Sequence, residues 1–199
     1  EGIKPIINSS KRNYADPAIW QETDAPNVYV CTEDVDNAGL LHFDPEYTYG
    51  IYNELYGHMK LRGAGGFMNY DQLSSDLEFF GDRETNKLYL YSDKGNPGER
   101  FKSIEIGTKE RVFGGYGKNN IFDNLSIRNC GSHGIGLQSS TDITVTNCIL
   151  SWLGGSLLGN YGETTTQYGN AVEIFGSSNR YNVKNNWIYQ IYDTAITHQ

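Results

Sequence analysis

Glu173, Asp193 and His133 are the side chains whose types and placement best suit proton transfer. Two carboxylates in unlike surroundings can divide acid and base work: one gives a proton to a leaving oxygen, the other attacks or activates water. Cleavage of a glycosidic bond uses such a pair with the carboxyl groups about 5–9.5 Å apart. Gln138, Tyr161, Tyr168, Phe175 and His198 are candidate substrate contacts. Sugars present C–H faces that stack on rings, and hydroxyls that need polar partners. Trp152 is a further ring, better explained by packing under a loop. The three cysteines form no CxxC and have no His at metal spacing, so no metal ligand is assigned.

What must hold these residues is a repeat. Phe122-Asp-Asn124-Leu-Ser-Ile127, Val145-Thr-Asn147-Cys-Ile-Leu150 and Val183-Lys-Asn185-Asn-Trp-Ile188 share one pattern. Each has an apolar residue two before an Asn and another three after it. The first two Asn are 23 residues apart and the last two 38. Val112, Ile135, Val172 and Ile196 form a second series with an insertion of about 14 residues in the same interval. A period of this size marks a solenoid. Short strands punctuated by Gly, Asn and Ser make it a β-solenoid.

Stacking explains the residue types. Equivalent positions of successive coils lie ~4.8 Å apart, so like piles on like. Val112, Ile135, Val172 and Ile196 should form one inward file. Phe122, Val145 and Val183 should form a second, and Ile127, Leu150 and Ile188 a third. Asn124, Asn147 and Asn185 should occupy one left-handed corner and bond to one another as an amide ladder. Alternation along the strands then turns Gly136, Glu173 and Thr197 outward. Asp193 falls just before the next first strand, and His133 occupies the same turn one coil before Glu173. The insertion, about 152–168, would wall a groove beside Glu173. His198 falls at an inward position by strict register.

Composition narrows the partners. The 199 residues carry 16 Lys+Arg against 24 Asp+Glu, a formal charge of −8. That balance disfavours a nucleic-acid backbone or an anionic membrane surface. No apolar run reaches the ~18 residues of a membrane span. The chain holds 15 Tyr, 8 Phe and 3 Trp, and an aromatic, acidic surface suits a polysaccharide or oligosaccharide better than a polyanion. Cys148 reads as a small buried core thiol.

Residues 1–106 form an irregular, β-rich N-terminal cap region with a hairpin at about 77–91, and residues 107–199 form the coils. A helix is expected near 53–60. The fold class is therefore all-β, a single-stranded parallel β-helix. Gln199 falls inside a strand, so further coils or another chain are expected to cover that end. The first residues lack a basic and an apolar leader segment.

Two stretches carry a resemblance. One is Gly154-Gly-Ser156, Tyr168-Gly-Asn-Ala-Val-Glu-Ile-Phe175 and Ile191-Tyr-Asp-Thr-Ala-Ile-Thr-His-Gln199; the other is Asp76-Leu-Glu-Phe-Phe80 with Lys87-Leu-Tyr-Leu-Tyr-Ser92. With the coils they resemble the right-handed parallel β-helix of the pectate-lyase-like superfamily. They are also similar to secreted bacterial glycoside hydrolases of the family with α-L-fucosidase and xylanase members. The resemblance implies a secreted or periplasmic protein that cleaves plant or microbial polysaccharide without a cofactor. A polysaccharide lyase is the alternative. It would use a base such as Arg111 or Arg180, with Ca²⁺ to acidify the proton beside a uronate. A non-catalytic glycan-binding or structural β-helix is the third reading.

Overall fold

A computed structural model describes residues 4–44, 57–58, 69–159 and 166–199. From Phe113 onward the chain winds through three parallel sheets in turn. The first holds Phe113–Gly115, Ile135–Gln138, Val172–Phe175 and Ile196–His198. The second holds Ile121–Asp123, Thr141–Thr146 and Asn179–Lys184. The third holds Ser126–Cys130, Ile149–Leu153 and Trp187–Ile191. Ile6–Asn8, from the far N-terminal end, adds a parallel strand beside Ser126–Arg128 in that third sheet.

The register forms the expected files. Phe122 pairs with Val145 and Val145 with Val183; Ile127 pairs with Leu150 and Leu150 with Ile188. Ile135, Val172 and Ile196 align as expected, but the first member of that file is Phe113, not Val112. Two adjacent apolar residues leave alternation undecided there. The following glycine settles it, since Phe113-Gly114 matches Ile135-Gly136.

The corners follow a rule of their own. Asn119, Asn124 and Asn129 have left-handed φ, as do Asp142, Asn147 and Trp152, and then Arg180, Asn185 and Gln190. Successive members are five residues apart in every coil. The flanking register brings Asn124, Asn147 and Asn185 into one column. Their side chains are exposed and do not form the expected mutual ladder: Asn147 Nδ2 donates to Asp123 Oδ1 (2.9 Å), and Lys4 Nζ donates to Asn124 Oδ1 (2.7 Å). At these exposed corners the amides of Asn124 and Asn147 take nearby charged partners instead. The cross-rung amide is the next residue, Asn186, which accepts from Cys148 N–H (2.8 Å) and donates to the Val145 carbonyl (2.9 Å). Cys148 itself is buried and free, and burial raises its thiol pKa.

The coil interior is closed by Ile127, Ile135, Ile143, Val145, Leu150, Val172 and Ile174, all essentially without solvent contact. A second core lies in the N-terminal region, between two antiparallel sheets. Trp20–Glu22, Val28–Cys31, Lys87–Tyr91 and Phe79–Asp82 form one, its last two strands joined as a hairpin. Gly57–His58, Leu40–Phe43 and Ile104–Gly107 form the other. The remainder of the helix expected near 53–60 falls outside the described residues, and Gly57–His58 is extended.

Polar contacts weld the two cores. His42 stacks on Trp152 (ring centroids 4.1 Å), and its Nδ1 lies 2.9 Å from Asn129 Oδ1. Asn129 Nδ2 donates to Asn8 Oδ1, and Asn8 Nδ2 donates to Glu105 Oε2. Asn37 clasps the base of the insertion by donating to the Leu157 carbonyl (2.8 Å) and accepting from Leu157 N–H (2.9 Å). Gly39 lies so close here that a Cβ would run into Ser156 N.

Candidate active site

The outer face of the first sheet positions the candidate residues. Gly114, Gly136, Glu173 and Thr197 lie in one file, each paired with the next across the rungs. Valine and isoleucine at 172 and 174 bury their side chains inward, which leaves Glu173 on the outer side of a rigid strand. It is nonetheless only 8% exposed, with the buried His133 against it.

His133 is the neighbour that matters most. Its Nε2 lies 2.8 Å from Glu173 Oε2. The backbone N–H of Asn170 donates to His133 Nδ1 at 3.0 Å. An accepting Nδ1 carries no proton, so in the neutral ring the proton sits on Nε2 and is donated to the carboxylate. Burial, reinforced by the nearby Arg111 charge, pushes the His133 pKa down to about 4. His133 is thus a neutral orienting partner behind Glu173. The ring of Tyr168 meets it edge-on (5.0 Å), and the Tyr168 hydroxyl accepts from Ser132 Oγ (2.9 Å).

Glu173 carries the opposite shift. Burial raises its pKa, Arg111 and the Asn170 side-chain hydrogen bond pull it down, and the charge of Asp193 pushes it up. Asn170 also accepts from Thr194 N–H at 3.0 Å through Oδ1, so one buried amide ties Glu173 to the turn that carries Asp193. Asp193 is exposed. One carboxyl is therefore sheltered and the other solvated.

Arg111, expected only as the base of a lyase, also lies on this face. Cβ atoms placed on Gly114 and Gly136 would lie 3.1 and 3.2 Å from its Cδ, so the arginine stem lies across the two outward glycines. The apolar–Gly dipeptides Phe113-Gly114 and Ile135-Gly136 are the sequence signal for that trough. Asn170 carried no signal, since its role depends on three coils meeting.

The remaining candidates disperse. Gln138 and Phe175 pair across the same sheet and share the outer face with Glu173. His198 aligns with Ile174 on the inward file, opposite that face, and its Nδ1 lies 2.8 Å from Tyr181 Oη. Trp152 is buried under His42, where it packs. Tyr161 lies outside the described residues. At the base of the insertion, Ser156–Leu157 pairs antiparallel with Gln167–Tyr168. Among the described residues, no group of three or more His, Cys, Asp and Glu is gathered as a metal site.

A family model described as a right-handed beta helix region matches residues 76–198. The chain belongs to this family, whose span takes in the Phe79–Tyr91 hairpin as well as the coils. Neither a curated protein nor a solved structure matches it.

His42 and His133, both buried, give the fold a pH signature. Burial also takes His42 down to about 4. Between about 6.5, the ordinary histidine value, and about 4, the unfolded chain binds protons that the folded chain refuses. Stability should therefore fall as pH drops through that window, with the raised Glu173 partly opposing the fall. Urea midpoints at pH 7 and pH 5 should show it. His42→Gln, which keeps a donor for Asn129, should flatten the difference; an unchanged slope would refute this assignment.

Proposed function

We propose that the protein is a carbohydrate-active enzyme, most simply a glycoside hydrolase, with Glu173 as proton donor and Asp193 as its carboxylate partner. The observation that carries this reading is the sheltered Glu173, held by His133 and Asn170 and within electrostatic reach of the exposed Asp193. A raised pKa keeps a carboxylic acid protonated nearer neutral pH, which a general acid needs. His133 and Asn170 position the donor, and Asp193 attacks or activates water from the solvent side.

Arg111 favours a second reading, a polysaccharide lyase. Its guanidinium lies on the same face and would answer a uronate carboxylate. Product analysis separates the two. Incubation with neutral and uronate polysaccharides should release new reducing ends without ultraviolet absorbance. Absorbing, unsaturated products would replace the hydrolase reading with the lyase one. Binding in an affinity gel with no products would leave a glycan-binding β-helix.

A further inference from the structure

We propose that Tyr116, Gln138 and Phe175 form a subsite for a neutral sugar unit. The subsite rests on the reading of Glu173 above as the reacting end of the same face.

Pairing of Gly115 with Leu137 puts Tyr116 beside Gln138, and Gln138 pairs with Phe175. These three residues form a file two positions further along each strand than Gly114, Gly136 and Glu173, so both files share the outer face. Tyr116 is 72% exposed. Its hydroxyl donates to Gln138 Oε1 at 2.9 Å. Gly115, which precedes Tyr116, has φ +126 and open space where a Cβ would sit. The tether uses the amide oxygen of Gln138 and leaves the Nε2 donors to meet a hydroxyl.

The occupant follows from chemistry and distance. An exposed ring, a half-buried ring and an amide donor between them match the C–H face and hydroxyls of a sugar. None of the three side chains is charged, so nothing in the file selects for a carboxylate. Tyr116 stands two rungs from Glu173, or roughly 10 Å along the axis at ordinary strand spacing. A glycan crossing the rungs would therefore place a unit on Tyr116 while another sits at Glu173.

Calorimetric titration of the 199-residue chain with ladders of two to six units tests this. The probes are β-1,4-linked glucose, xylose and mannose as neutral chains, and α-1,4-linked galacturonate as the charged one. Affinity for a neutral ladder should rise with length. Tyr116→Ala should weaken the longest member about tenfold, the scale of one aromatic contact, and leave the shortest unchanged. Tyr116→Phe, which keeps the ring and loses the tether, should fall between. Equal losses at every length, or no binding to any ladder, would overturn the subsite. The two readings fail separately. If Glu173→Gln stops turnover while Tyr116→Ala leaves the length dependence intact, only the subsite falls. If Glu173→Gln leaves turnover untouched, the acid assignment falls and the binding data still judge Tyr116.

Discussion

Glu173→Gln should lower glycan turnover by about 10²- to 10⁴-fold, the usual contribution of a positioned proton donor. The substitution is nearly isosteric. A glutamine oxygen can still accept from His133 Nε2, which now lies 2.8 Å from the carboxylate. The fold should survive, so the melting temperature should stay close to that of the parent. What disappears is the transferable proton. Asp193→Asn removes a charge from the exposed partner and should cost a comparable factor. Because that charge also raises the Glu173 pKa, the variant should move the basic limb of the pH–rate profile to lower pH. Unchanged turnover in both variants would remove the paired-carboxylate mechanism.

Leu150→Ala should destabilise the coil by about 2–5 kcal/mol, the range for emptying a fully buried leucine site. Leu150 has no solvent contact and lies between Ile127 and Ile188 in its file. Its neighbours are backbone-locked in three sheets, so the cavity has little freedom to collapse. Each rung is supported by the rungs beside it, and the defect weakens two interfaces at once. Ile188→Ala, one rung further on and only half-buried, should cost less. Urea unfolding of the two variants gives the comparison. Equal losses would mean that the coil core is not graded along its axis in the way the burial shows.

Much of this architecture is written in residue spacing. Parallel stacking at a fixed repeat forces equivalent side chains into files. The chain therefore has to repeat its apolar and Asn positions, as Phe122, Val145 and Val183 do around Asn124, Asn147 and Asn185. The same logic put Glu173 on the outer face, since Val172 and Ile174 had to point inward. Where the pattern was locally degenerate, spacing could not decide. Val112 and Phe113 are both apolar, and only pairing across the sheet selects Phe113.

Contacts between distant segments lay beyond the sequence. Ile6–Asn8 joins a sheet more than a hundred residues away in the chain, and no short-range pattern announces such a partner. Asn170 lies where three coils meet. Its contacts with His133, Glu173 and Thr194 exist only once the rungs are stacked. Periodicity determined which face each side chain takes, because that depends on alternation along a strand. Which side chains touch, and how burial sets the protonation of His133 and Glu173, was decided by tertiary structure, because desolvation and hydrogen bonding depend on everything that closes around a group.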